Sequence, residues 1–165
     1  MESKINSYLT FKLNAETFGT NVKHVLNILE PMKITKIPAA PEYMPGVVNL
    51  RGEVLPIIDT KFKFGMGKTE FTSSTCILVI EIENEEEYIK VGALADGVEE
   101  VLELNEDDLK PPPSIGSKFN SRIIESMAKV DDEFVMILNV AQIFSEDELV
   151  TLQNAVGDEK VKSEA

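Results

Sequence analysis

The sequence predicts an all-β fold of two small barrels packed together, with a helix only at the C-terminal end, and three observations carry that expectation. Short β-type apolar runs recur along the chain, turn residues separate them, and the pattern is stated twice. In the first copy Gly19, Val22, Val25 and Ile28 lead to Pro38; in the second Gly92, Ala95, Val98 and Val101 lead to Pro111, each displaced by 73 residues. Further on, the run from Val54 to Asp59 is echoed from Phe134 to Asn139 at a displacement of 80, so the second copy has gained a loop of about seven residues. Neither copy repeats a set of residues that would run a reaction, which points to a binding scaffold.

The expected strands, in order, are Tyr8 to Leu13, Val25 to Leu29, Val47 to Leu50, Val54 to Ile58, Cys76 to Ile82, Tyr88 to Leu94, Val98 to Leu104 and Phe134 to Leu138. Asn14-Ala15, Arg51-Gly52-Glu53, Asp96-Gly97 and Asp131-Asp132-Glu133 supply the turns, because Gly, Asn and Asp accept backbone angles that β-branched residues resist. Prolines cluster at Pro38 to Pro45 and at Pro111-Pro112-Pro113, where the missing ladder donor makes rigid connections. Two halves of roughly five strands follow: residues 1–72 as the first barrel and 73–165 as the second, with a polar connection at Lys68 to Thr75. Ser145 and Glu148 form a capping box that opens a helix over 145–156, whose Leu149, Leu152 and Val156 share one face, and residues 157–165 are expected to fray.

With 165 residues and a 43% hydrophobic fraction the chain has enough apolar material for a core. No apolar run approaches the roughly eighteen residues of a membrane span, and the start lacks the regions of a signal peptide, so a cytoplasmic protein is expected. The net charge of −13 divides into +2 over residues 1–72 and −15 over 73–165. A polyanion is repelled by the second half and barely attracted by the first, which makes nucleic acid a poor partner. The asymmetry suits two faces for different protein partners, or acidic loops that only keep the chain soluble.

The segment Gly46-Val-Val-Asn-Leu-Arg-Gly-Glu-Val-Leu-Pro-Ile-Ile-Asp59 reads as a hairpin with Arg51-Gly52 near its turn. Preceded by Ile34-Thr-Lys-Ile-Pro38 and Pro41 and followed by Lys61-Phe-Lys-Phe-Gly65, it closely resembles the CheW family of bacterial chemotaxis coupling proteins. The likeness extends over about residues 5–156, through Phe18-Gly19, Val91-Gly92, Asp96 and the Pro111-Pro112-Pro113 stretch. The chain departs from the family pattern at Glu125-Ser126-Met127 and at Asn139, which stands where an aspartate is usual.

The resemblance implies two SH3-like five-stranded barrels and a non-enzymatic adaptor without cofactor or metal. Its expected partners are the histidine kinase CheA, through that kinase's regulatory domain, and the cytoplasmic hairpin tip of a transmembrane chemoreceptor, so that the protein is recruited to membrane-bound receptor arrays. An adaptor of another chemosensory pathway, such as one controlling pili, fits the same likeness. It also implies a receptor-binding surface formed by Val25, Asn27, Gly46, Arg51 and Val101, with Val101 taken as the second-copy equivalent of Val25 at a groove between the barrels. The kinase-binding surface is expected on the first barrel, residues 1–72, without individual residues.

The residues themselves leave other readings open. Val25 also reads as a core valine, Arg51 as an ordinary exposed arginine, and Gly46 and Gly52 as backbone devices. A small carboxylate-dependent hydrolase would use Asp59, Asp96 or clustered carboxylates. His24 and Cys76, the only residues of their types, are too few for most metal or nucleophile arrangements, and no internal disulfide can form. Gly65-Met-Gly-Lys-Thr69 superficially resembles a phosphate-binding loop, but Phe62 occupies the first glycine position. The acidic tracts Glu83 to Glu87 and Asn105 to Asp108 lack the ligand spacing of a calcium loop and read as solvated turns.

Overall fold

Eleven strands follow one another in the order expected of a duplicated β-protein in the computed structural model, which describes residues 5–84, 87–112, 123–145 and 147–154. They are β1 (Ile5–Leu13), β2 (Glu16–Asn21), β3 (Val25–Leu29), β4 (Gly46–Leu50), β5 (Glu53–Ile58), β6 (Cys76–Asn84), β7 (Glu87–Ala95), β8 (Gly97–Asn105), β9 (Leu109–Lys110), β10 (Ile124–Val130) and β11 (Glu133–Leu138). A one-turn helix α1 (Thr60–Lys63) follows β5, and residues 147–154 form a second helix, α2. Glu85 and Glu86 of the first acidic tract, the third proline of the Pro111-Pro112-Pro113 stretch, Glu146 and residues 155–156 of the expected helix, and the tail 157–165 lie outside the described residues.

Three strands lie outside the apolar runs expected from the sequence: β2, β10 and the two-residue β9. β2 reads Glu-Thr-Phe-Gly-Thr-Asn and β10 reads Ile-Glu-Ser-Met-Ala-Lys-Val, and in both the inward positions are filled by small or weakly polar residues such as Gly19, Thr20, Ser126 and Ala128. The remaining expected strands are all present.

The strands form two curled sheets, one ordered β3-β6-β7-β5-β4 and the other β8-β1-β2-β11-β10-β9. All neighbours are antiparallel except β5 with β7 and β2 with β11. Pairing therefore cuts across the division at residues 72 and 73, which marks the sequence repeat. The five-stranded sheet is drawn from residues 25–95, and the six-stranded sheet from residues 5–21 and 97–138. The hairpin β1–β2 of the first copy joins the barrel of the second, and the hairpin β6–β7 of the second joins the barrel of the first. The second barrel counts six strands because of the two-residue β9; in the first, the bridge between Thr35 and Val47 makes the matching closure without forming a strand.

This exchange explains the duplicated glycines. Gly19 of β2 stands opposite Ile137 of β11, and Gly92 of β7 stands opposite Ile57 of β5, the same pair with the glycine 73 residues on and the isoleucine 80 residues back. A Cβ at Gly92 would lie 2.7 Å from both Ile57 Cδ1 and Ile77 Cγ2, and one at Gly19 would lie 3.0 Å from Ile137 Cδ1. Glycine is present there for space, so that an exchanged hairpin can lie against the barrel it joins.

Alternation along the exchanged strands divides the core into three parts. Ile77, Val79 and Leu94 fill the five-stranded barrel with Val48, Leu55 and Ile57. Tyr8 fills the other with Leu104, Ala128, Val135 and Ile137. The opposite faces, with Leu9, Phe11 and Leu13 on β1 and Leu78, Ile80 and Ile82 on β6, belong to the largest cluster, a seam between the barrels. Burial on both faces is why these strands read as continuous apolar runs. Helix α2 adds Leu149 and Leu152 to the seam, worth about 1.5–3 kcal/mol each when fully buried. Its capping box forms as the sequence predicts, with Glu148 N donating to Ser145 Oγ at 3.2 Å and Ser145 N donating to Glu148 Oε1 at 2.9 Å.

Candidate functional site

Surface features of the adaptor type occur on the sheet margins β3 and β8 and on the β4–β5 hairpin. Residues directly opposite one another in a ladder share a face. Val25 pairs with Ile80 and Ile28 with Leu78, while Val98 pairs with Phe11 and Val101 with Leu9. All four inner partners are seam residues, so the four outer ones flank the seam, two from each barrel. Val25 is half-buried against it, whereas Ile28 and Val101 are 45% and 56% exposed. Asn27 is exposed, and its Oδ1 accepts from the Ile28 amide at 2.8 Å.

The 73-residue displacement pairs Val101 with Ile28 and Val98 with Val25, which corrects the expectation that Val101 is the counterpart of Val25. Ile28 is thus the residue missed from the sequence, although a consistent use of the repeat register finds it.

Both margins carry a register shift at the same place, between Val25 and Asn27 on β3 and opposite Leu9 and Phe11 on β8. Extra residues there bend an edge strand and re-aim its side chains. On β8 the buried Thr10 satisfies the irregularity: its Oγ1 donates to the Glu100 carbonyl at 2.9 Å and accepts from the Glu100 amide at 3.1 Å. The two bulges differ chemically, with Leu26-Asn27 on one and Glu99-Glu100 on the other.

Arg51 occupies the tip of the β4–β5 hairpin. Its φ of 54° and that of Gly52, 85°, make a two-residue turn with both central residues left-handed, where Asn-Gly is the usual choice. An arginine there costs about 1–2 kcal/mol of backbone strain. Asn49 supports the turn, its Oδ1 accepting from the Gly52 amide at 2.9 Å. The Arg51 side chain is exposed and makes no ion pair among the described residues. A planar cation held out on a strained turn is suited to a carboxylate or carbonyl of another protein.

Gly46 lies at the other end of β4, about 16 Å away by strand rise. It is buried, and a Cβ there would run into the Thr35 carbonyl oxygen and come within 2.8 Å of Ile34 Cγ2. Its position is that of a backbone device closing the first barrel. Arg51 and Val25 stand on different elements, the tip of the β4–β5 hairpin and the margin strand β3.

The carboxylates a hydrolase would need are engaged in structure. Asp59 is buried and caps α1: Oδ1 accepts from the Phe62 amide at 3.3 Å and from Thr69 Oγ1 at 2.6 Å, and Oδ2 accepts from the Thr69 amide at 2.9 Å. Gly65, at φ 76°, ends the turn, with the Met66 amide donating to Lys61 O and the Gly65 amide to Phe62 O, a Schellman arrangement. The phosphate-loop-like string is therefore a strap folded back onto α1. Asp96 accepts from Lys61 Nζ at 3.0 Å and from the Asn14 amide at 2.6 Å. Partial burial, then Lys23, lowers the His24 pKa, and burial, then Asp96, raises that of the Cys76 thiol, which does not favour a nucleophilic thiolate.

A family model described as CheW-like domain matches residues 7–148. The probable chemotaxis protein CheW of Rhizobium etli is 30% identical over 140 residues, covering 85% of this chain and 88% of its own. The chemotaxis protein CheW of Klebsiella aerogenes is 25% identical over 147 residues, covering 89% and 86%. Among solved structures, the scaffolding protein TtCheW from Thermoanaerobacter tengcongensis has a TM-score of 0.76 at 31% identity, covering 87% of this chain and 90% of that one.

Proposed function

The chain belongs to the CheW-like domain family, and on that premise we propose that it is a chemotaxis adaptor that holds a chemoreceptor and the histidine kinase CheA in one complex. Its work is positional. Two partners held on one scaffold meet at a raised effective concentration, and a receptor conformation that binds differently biases the kinase without any bond being made by the adaptor.

The observation that carries this reading is the pair of seam flanks, where apolar residues stay exposed on bulged edge strands beside an otherwise closed core. The receptor hairpin tip is assigned to this surface, with Val25, Asn27 and Val101 contributing contact and Arg51 contributing orientation from its separate hairpin. Gly46 supports that surface through the backbone of β4. The kinase's regulatory domain is assigned to the five-stranded barrel. No helix among the described residues is long and apolar enough to cross a membrane, so placement at receptor arrays rests on these partners.

The test is co-purification of the full chain with a chemotaxis kinase and a receptor signalling fragment. A ternary complex that is lost with Val101→Asp and weakened with Arg51→Glu supports the assignment. Failure of the unmutated chain to bring the two together defeats it.

A further inference from the structure

We infer that the buried Lys61 and its partner Asp96 are positioning residues: they set how the two barrels sit against each other, and through that the spacing of the seam flanks. Lys61 is on α1, which belongs to the five-stranded barrel, yet it is only 6% exposed. Its Nζ bonds Asn14 Oδ1 at 3.1 Å, in the β1–β2 turn of the six-stranded barrel, and Asp96 Oδ2 at 3.0 Å, where β7 hands over to β8 and the chain passes from one barrel to the other.

Both partners are held in turn. The Asn14 amide donates to Asp96 Oδ2 at 2.6 Å, and Asn14 Nδ2 reaches Met66 O at 3.4 Å. Ser74 Oγ donates to Asp96 O at 2.7 Å, and the Asp96 amide donates to Lys12 O at 2.9 Å. Met66 and Ser74 flank the five-stranded barrel, whereas Asn14 and Lys12 belong to the other. The knot therefore ties the tip of an exchanged hairpin to the barrel it left.

The duplication supplies an internal control. Eighty residues on, the place of Lys61 is taken by the exposed Ala141, and the second barrel closes without such a cation. Barrel folding does not require it. An ion pair with Lys61 buried and Asp96 partly buried is a poor source of stability compared with apolar packing, but it is directional, because a displaced partner leaves the buried cation unpaired. A cation present on one side only, at the crossing between barrels, suits a device for relative placement, because its hydrogen bonds are directional where apolar contact is not.

The test labels Lys90 of β7 and Glu103 of β8 with spin probes through introduced cysteines in a Cys76→Ala background, both sites being exposed and on different barrels. Lys61→Met and Asp96→Asn are compared with the parent for the width and centre of the interprobe distance distribution, and for ternary assembly with kinase and receptor fragment. The expected result is a broader or displaced distribution in either variant, with assembly weakened although the flank residues are untouched. Should Lys61→Met fail to fold, Asp96→Asn decides, since it keeps the volume and an acceptor for the Asn14 amide. A parental distribution in a folded variant overturns the proposal, as does a broadened one with assembly unimpaired. The assembly readout rests on the adaptor reading, and its failure is distinguishable: it is absent already in the parent, whereas the distances are measured on the chain alone.

Discussion

Replacing Gly92 by alanine tests the exchanged-hairpin packing directly. The added methyl meets Ile57 Cδ1 and Ile77 Cγ2 at 2.7 Å and Leu55 Cδ2 at 3.2 Å, and both isoleucines are 0% exposed. Ile77 Cγ2 hangs on a branched Cβ in a strand and has no free rotamer to retreat into. Overpacking of this kind costs about 1–3 kcal/mol, offset by about 0.4–1 kcal/mol from the stiffer unfolded chain. A net loss of about 1–2 kcal/mol is expected, read as a fall in the urea midpoint of about 0.5–1 M at unchanged slope. At Gly19 the same methyl meets Ile137 Cδ1 at 3.0 Å and Val135 Cγ1 at 3.3 Å, contacts that a small shift relieves, so Gly19→Ala should stay within about 0.5 kcal/mol of the parent. Ile57→Val should cost less in the Gly92→Ala background than alone, because it removes one of the colliding carbons. A Gly92→Ala protein as stable as the parent, or less affected than Gly19→Ala, refutes this packing.

Three further outcomes follow from the geometry. Asp59→Ala should cost about 2 kcal/mol in urea unfolding, for the lost cap and the freed Thr69 strap, whereas Asn139→Ala, at the matching place where no side chain caps the turn, should cost markedly less. Arg51→Glu should leave stability within about 0.5 kcal/mol while weakening receptor binding in co-sedimentation, and Arg51→Asn should raise the midpoint slightly by relieving the left-handed strain. Burial pushes the Glu148 carboxyl up, but the bond from Lys63 and those from Ser145 outweigh it and hold its pKa below that of an ordinary glutamate. The stabilisation from ionised Glu148 is therefore complete above its unfolded-state pKa and lost as pH falls through the folded one, so the stability gap between the parent and Glu148→Gln should be flat near neutrality and close in acid.

Much of the fold was legible because β1 and β6, the first strand of each exchanged hairpin, are apolar on both faces, which makes Cys76 to Ile82 and Tyr8 to Leu13 conspicuous, and because the capping box at Ser145 is a purely local signal. The pairing was not legible. Gly19 and Gly92 announce a close approach, but only the ladder shows that each lies against the other copy's β-strand. Within the site, Arg51 declared itself by its hairpin, since an Arg-Gly turn is readable in one dimension. Ile28 was hidden by a misplaced alignment of Val101. Lys61 could not be found at all, because nothing in a run of Lys-Phe-Lys-Phe separates the buried lysine that bridges the barrels from its half-buried neighbour Lys63.

The five-stranded barrel is drawn from the middle of the chain, between the two segments of the other barrel, and this has a consequence for biosynthesis. Residues 25–95 can close as soon as they leave the ribosome, but the β1–β2 hairpin, made before them, lacks its parallel neighbour β11 until residue 137 has been added. At ordinary rates of translation that is a wait of about ten seconds with Leu9, Phe11 and Leu13 already synthesised. The newly closed barrel, through the outer face of β6–β7, offers those side chains a surface to shelter on. The β1–β2 hairpin, made before the barrel it flanks, is thus fully housed only after it, and a stop codon before β11 should leave a product that clumps rather than a smaller working half.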